Sequence, residues 1–346
     1  MIMKKIAVFL LLALTGVLGF GYYRFFYVPP LPQAVGAKTE NFTWQYKDQS
    51  YSLYETLYQS IDDYYAKRPK GIYQGIENVS IDKYMSLSDK SPEVGNLTNK
   101  IKLIAKNHNL NDDQALELAV SFIQTIPYDN VRAKTDLTHP RYPYEVLYED
   151  KGICSDKTLL AVSVLRSLGY GTAVFMWDKE QHMAAAVECP MRYSNYNSGY
   201  CIVETTAIGA KIGVIPDLSP DNLKAVGRTT KTNFGNQTQT KVTKLQDVQI
   251  YDKETGKTYQ GILARINIEK EIASIESYLA NQKTVINASQ TELDVLKNRL
   301  DTYYRNQDFA SYNLLVPTYN NKVNLMKNEI SAYNQKVDRY NYLIKQ

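Results

Sequence analysis

The chain has 346 residues, of which 44% are apolar and 22% charged, with a formal net charge of +4. This is ordinary globular composition, long enough for one or two domains with full cores. The small, scattered positive charge, without an aromatic-basic module, argues against nucleic acid as a partner.

Lys4 and Lys5 precede an uncharged apolar run over residues 6–23, which Arg24 and then Pro29-Pro30 close. A helix of about 20 apolar residues spans a bilayer, whereas a cleavable signal peptide has a core of about 7–15. Residues 1–30 are therefore expected to be a transmembrane anchor, with a cleaved signal segment as the alternative. The positive-inside rule keeps Lys4 and Lys5 cytoplasmic. The expected localisation is a single-pass cell-membrane protein with an extracytoplasmic body, or a secreted one if the segment is cleaved.

Residues 31–109 read as an N-terminal extension of the core, with β-like runs at 42–46 and 51–54 and a helix near 57–66. Asn111-Asp112-Asp113 looks like a helix start, followed by the apolar face Ala115, Leu116, Leu118, Ala119, Phe122 and Ile123. A loop rich in Pro, Tyr and charge is expected over 126–150. A helix over 155–168 turns Leu159, Val162, Val164, Leu165 and Leu168 inward and stops at Gly169. Strand-like runs follow at 172–177, 182–188 and 200–206. Helix then consecutive strands predicts an α+β fold, with the helix packed on an antiparallel sheet.

Residues 217–263 are expected to be linker or loop, since 216–245 are polar and aperiodic. Residues 264–346 change period. Ile268, Ile272, Ile275, Leu279, Ile286, Leu293, Leu296 and Leu300 fall on steps of four and three. After a break near 306–309, Val316, Val323, Ile330, Val337 and Ile344 form one seam, and Tyr312, Tyr319, Met326, Tyr333 and Tyr340 the other. Sustained heptads predict a coiled coil, most simply an antiparallel α-helical hairpin, with a dimeric coiled coil as the competitor. Pro317 should kink the second helix or sit in its first turn.

The chain has three cysteines and three histidines. In an oxidising compartment Cys189 and Cys201, which flank a Tyr/Asn/Ser/Gly-rich turn, are the plausible pair, and Cys154 is left free. His108 and His139 read as structural or exposed. His182, opening HMAAAVE, sits on a strand able to bring an imidazole to a helix end, and Glu204 in CIVETT lies on the following strand. A cysteine at a helix N-terminus feels the positive end of the dipole, an imidazole takes its proton, and a carboxylate fixes the imidazole. Glu188, the rival acid, lies about 20 Å along the strand from His182 and is too far. Asp156 reads as a first-turn acid that opposes a thiolate slightly.

If His182 and Glu204 stand opposite one another, the Cys189–Cys201 pairing is a slip of four residues away, about 13 Å. Both then require a bulge or an extra turn near Pro190, and the triad takes precedence over the disulfide. No cofactor or metal is expected, since metal-ligand spacings and a Gly-rich phosphate loop are lacking.

The motifs Gly152-Ile153-Cys154-Ser155-Asp156 with Leu165-Arg166-Ser167-Leu168-Gly169-Tyr170, His182-Met183-Ala184 with Val187, and Glu204-Thr205-Thr206 occur in that order. So worded, the chain resembles the transglutaminase-like superfamily, most closely its exported bacterial and archaeal members, over 110–216 well and 40–110 loosely. The resemblance implies a papain-like, transglutaminase-like core with Cys154 as nucleophile, His182 as base and Glu204 as orienting acid. Ile153, in place of a polar residue, and Gly209-Ala210-Lys211, in place of an aromatic one, depart from the family pattern. The expected activity is thiol acyl transfer on peptide or isopeptide amides at the cell surface. The alternative is an inactive surface binding module, and a second copy or another coiled-coil partner is expected for the heptads.

Overall fold

Two facing runs of alternating aromatic and polar residues make a hairpin of β1 (Ala37–Tyr46) and β2 (Gln49–Tyr58), which turns through Lys47 at φ 54°. The computed structural model describes residues 30–68, 70, 85, 92–135, 139–177, 180–215 and 248–344. In β1 and β2, Trp44 stands opposite Tyr51 and Phe42 opposite Leu53, all buried on one face. Helix α1 (Gln59–Ala66) continues the chain, and α2 (Pro92–Asn107), which the sequence pattern did not announce, buries Val94, Leu97, Ile101 and Ala105. Helix α3 (Asp112–Thr125) starts where expected, with reciprocal 2.9 Å bonds between Asn111 and Gln114 forming a capping box. Its Phe122 meets Phe42 and Trp44 edge-on.

The expected loop 126–150 holds two short helices, α4 (Arg132–Thr135) and α5 (Pro143–Glu149). Pro143 fits a first helical turn, and Glu145 accepts the Tyr142 N–H at 2.8 Å. Both segments are too short for periodicity to reveal them. Helix α6 (Cys154–Ser167) is buried from Cys154 to Leu165. It ends in a Schellman motif: Gly169 adopts φ +92°, its N–H donates to Arg166, and the Tyr170 N–H donates to Leu165.

Strands β3 (Thr172–Trp177), β4 (His182–Glu188), β5 (Tyr200–Val203) and β6 (Val248–Glu254) form an antiparallel sheet in the order β5-β4-β3-β6. Strand β6 lies inside the stretch 217–263 expected to be linker, so part of that expectation is corrected: 248–254 complete the sheet against β3. Its sequence, VQIYDKE, is polar enough to escape notice because an edge strand shows one side to solvent. The remaining linker residues 217–247 lie outside the described residues. One core runs from Phe42 in the hairpin through α2, α3, α5 and α6 to Ile262, and Ala173, Phe175, Trp177, Ala184, Ala186, Tyr200 and Ile202 form a second layer on the other face of the sheet.

The disulfide Cys189–Cys201 is present and Cys154 is free. The conflict expected between that bridge and a His182–Glu204 contact does not arise. In the β4–β5 ladder Ala185 faces Val203 and Val187 faces Cys201. Each functional pair is thus diagonal by two residues, in opposite senses, and a single unbulged register serves both. We expect the Cys189→Ser/Cys201→Ser double variant to lose about 3 kcal/mol in urea unfolding, the loop-closure term for a short loop. An unchanged midpoint would show that the ladder holds its register without the bridge.

Helices α7 (Gly261–Arg305) and α8 (Phe309–Leu343) run antiparallel, joined across 306–308 and with Asp308 capping α8 by accepting the Ser311 N–H. Arg339 binds Glu271 through Nε and Nη2, Tyr340 donates to Glu276, and Ser289 donates to Glu329. Ile275, Leu293 and Leu300 are buried in α7, whereas the seam of α8 is half-buried, and Ile330 and Ile344 are exposed. Pro317 lies inside α8. Among the described residues no helix is long and apolar enough to cross a membrane; the apolar run 6–23 lies outside them.

Candidate active site

The turn that presents Cys154 is assembled from short-range constraints. Gly152 forms a parallel bridge with Tyr128, its N–H donates to Pro127 O and its carbonyl accepts the Asp129 N–H. A Cβ on Gly152 would meet Asp156 Cβ at 3.0 Å and Lys157 Cγ at 3.3 Å, so the close approach needs glycine. Ile153, fully buried, is the N-cap of α6 and offers no side-chain cap. Asp156 supplies the bond instead, accepting the Ile153 N–H at 3.0 Å. The same carboxylate accepts from the Arg141 N–H at 2.7 Å and pairs with Arg132 at 2.8 Å. Burial raises its pKa, against the pull of Arg132 and both backbone donors. Asp156 is therefore a tie for three segments around the cysteine, and Arg132 offsets its charge beside the thiol. Asp129 plays the matching part, paired with Arg141 at 2.9 Å and accepting the Arg132 N–H.

Cys154 is the first residue of α6, 3% exposed, with Sγ 3.9 Å from the carbonyl of Gln181, the residue before His182. His182 opens β4 and Glu204 immediately follows β5, so all three groups sit at element ends. The His182 Nε2–H donates to Glu204 Oε2 at 2.8 Å, which leaves Nδ1 for the thiol. Trp177, directly across the ladder, lies against the imidazole with ring centroids 5.7 Å apart. The second Glu204 oxygen accepts both the Thr206 N–H and its hydroxyl, each at 2.6 Å.

Burial alone would push the His182 pKa down; the Glu204 carboxylate and hydrogen bonds with Cys154 and Glu204 outweigh it and raise it. Burial would likewise raise Glu204, but the charge of His182 and the bonds from His182 and Thr206 bring it down to about 2. The pair is thus an imidazolium–carboxylate at neutral pH, with positive charge against the Cys154 sulfur.

Sequence reasoning did not single out two residues that complete the arrangement. Lys157 is 1% exposed, and its Nζ donates to Gln124 O at 3.1 Å, in the last turn of α3, and to Ile126 O at 2.6 Å, just past its end. The Gln124 side chain donates to Glu204 O and Ala210 O, both at 2.9 Å, and accepts the Gly209 N–H. No sequence signal marked Lys157, since Ser155, Asp156 and Thr158 beside it make the first turn read as polar. Gln124, in an ordinary amphipathic helix, carried none. Of the other groups weighed, His108 lies against Tyr51, and the His139 carbonyl accepts from Arg132. Glu188, at the far end of β4, accepts the Gly256 N–H. Among the described residues no three His, Cys, Asp or Glu side chains are grouped to hold a metal ion.

Residues 93–194 match the family model described as a transglutaminase-like domain. The match takes in Cys154 and His182 and ends before Glu204. No curated protein and no solved structure matches the chain.

Proposed function

From the transglutaminase-like domain at residues 93–194, we propose that the chain is a cysteine-dependent acyl-transfer enzyme acting on peptide or isopeptide amides. Cys154 is the nucleophile, His182 the acid–base and Glu204 the orienting acid. The supporting observation is the buried His182–Glu204 bond beside Cys154, whose Sγ lies 3.9 Å from the carbonyl preceding His182 and which opens a helix. With the proton already held on His182, the Cys154 sulfur adds as thiolate to the amide carbonyl carbon. The first-turn N–H groups of α6, which have no intrahelical acceptors, face the developing oxyanion. The C–N bond breaks as His182 returns the proton to the leaving amine, giving a thioester on Cys154. Water or a second amine then adds, its proton going to His182, and expulsion of the Cys154 thiolate releases the product and restores the ion pair.

In this reading residues 1–30 anchor the protein, the catalytic body is extracytoplasmic, and α7–α8 act as a coiled-coil hairpin that docks a partner or a second copy. The test is to incubate the intact chain with cell-surface peptide extract, quench in acid and map adducts by mass spectrometry. An acyl group on the peptide containing Cys154 is expected, and its identity names the substrate. The burial of Cys154 favours a second reading, a surface binding module on the same fold, and a chain that never acquires an adduct would favour it over the enzyme.

A further inference from the structure

We propose that the flank of α8 carrying its Tyr-Asn pairs is a binding face for a straight, chitin-type glycan chain, in which each acetamido sugar is turned over relative to the last. The proposal names the partner of the α7–α8 hairpin and stands apart from the chemistry at Cys154.

Four times along α8 a seam tyrosine is followed by asparagine: Tyr312-Asn313, Tyr319-Asn320, Tyr333-Asn334 and Tyr340-Asn341. The pairs keep heptad register, with Met326-Lys327 at the middle repeat. A heptad period holds such a stripe on one side of a helix pair instead of letting it wind round. Each of these tyrosines is half-buried against α7 and each asparagine is exposed. Among the described residues the four amides have no partner within the chain. Asparagine is among the poorer helix formers, whereas lysine and glutamate, the usual residues of a solvated flank, are among the better ones. Composition alone does not put it here: α8 has seven asparagines in 35 residues, α7 four in 45.

The other flank of α8 closes onto α7. There Lys322 pairs with Glu292, and Glu329 accepts the Ser289 hydroxyl. Lys336 lies 5.9 Å from the Tyr278 ring centre, and Arg339, one turn on, binds Glu271. Among the described residues the Tyr-Asn flank shows one such tie, Tyr340 donating to Glu276. At the tip of the hairpin its row of tyrosines runs into open rings. Tyr304, 63% exposed, lies 6.0 Å from Tyr312 and 6.2 Å from Phe309, which is 54% exposed. Pro317 adds a backbone acceptor nearby: having no N–H, it leaves the Asn313 carbonyl without its intrahelical donor.

A carboxamide offers a donor and an acceptor in one plane, which matches the N–H and C=O of an acetamido group. None of the four carries a charge that would favour an ionic partner. Aromatic rings take the C–H face of a pyranose against their negative π-faces. Seven residues of helix advance about 10.5 Å, close to the length of one disaccharide in a chitin-type chain. Because alternate sugars in such a chain are turned over, the same edge returns once per disaccharide. Each return meets the next Tyr-Asn position.

The test uses the intact chain and calorimetric titration with chitohexaose. Binding is expected to be at least fivefold tighter than to chitobiose, because the longer chain reaches a second pair. It should also be at least fivefold tighter than to cellohexaose, which lacks the acetamido groups. Dextran, whose linkage gives no such repeat, should not bind. In Asn320→Ala/Asn334→Ala the affinity should fall tenfold or more while the thermal midpoint stays level or rises, since alanine is the better helix former. Tyr304→Ala, at the exposed tip, should weaken binding fivefold or more, and decides if the double variant does not fold. Absence of chitohexaose binding, equal binding by a folded variant, or equal binding of cellohexaose or dextran overturns the proposal. Sedimentation velocity covers the competing occupant: a dimer that the double variant dissociates would make this face a self-interface and also overturn it. None of these readouts passes through Cys154, so the proposal and the acyl-transfer reading stand or fall separately.

Discussion

Replacing His182 with glutamine is expected to slow thioester formation at Cys154 about 10³-fold, within the range for losing a general acid–base. Glutamine is chosen because its amide N–H still donates to Glu204, so the buried carboxylate keeps a partner and the fold is retained. What disappears is the proton donor for the leaving amine and the positive charge beside the sulfur. Iodoacetamide alkylation offers a check that needs no substrate. At pH 6 the wild-type Cys154 should be alkylated at least tenfold faster than in His182→Gln, because the imidazolium next to the sulfur favours the thiolate. Equal rates would mean that the histidine does nothing for the sulfur, and would favour the binding-module reading.

Glu204→Ala is expected to cost about 3–5 kcal/mol, the usual penalty for removing one partner of a buried charge pair. It strands the His182 N–H and both Thr206 donors that now converge on the carboxylate. Urea unfolding measures the loss; a change below about 1 kcal/mol would mean that water replaces the carboxylate and the site is less closed than described. The same pair sets how stability varies with pH. Glu204 has its pKa lowered from 4.5 to about 2, so its contribution is complete above pH 4.5 and fades as pH falls toward 2. His182 has its pKa raised from 6.5, so its contribution is complete below pH 6.5 and fades as pH climbs through the raised value. Lys157 runs the other way: lowered from 10.5 to about 7 by burial, with Glu204 opposing, it penalises the folded state below pH 7 and relieves it between 7 and 10.5. The pair's full contribution therefore falls between pH 4.5 and 6.5, and Glu204→Ala should remove the acid limb.

What could be read from the sequence follows from how local each cause is. The start of α3, the stop at Gly169 and strands β3 and β4 were legible because capping residues and uninterrupted apolar runs announce them. The three chemically distinct groups were legible because the chain has so few histidines and cysteines, and the order of the motifs narrowed the choice. The rest depends on long-range geometry. Helix α4 is too short to show a period, and strand β6 is polar on one side and takes its place from pairing with β3. The compatibility of disulfide and histidine–acid contact was missed because direct cross-strand opposition was assumed for both pairs. Arg132 and Arg141 look like any loop arginines until Asp156 and Asp129 are seen beneath them. The seam of α8 was legible in its spacing, but the exposure of Ile330 was not, since two helices cover only part of each other.

The order of the parts along the chain sets the order in which the site can come into being. A growing chain that has just completed β4 possesses the sulfur and the imidazole, but the acid and the turn that Gln124 clamps are still to be made. Until the segment through Ala210 closes onto α3, the imidazole has no carboxylate to charge it. Such contacts between distant residues carry a loop-closure cost that local ones do not. On the acyl-transfer reading, the cysteine's charged neighbour is therefore complete only once residues well beyond both of them in the chain have been made.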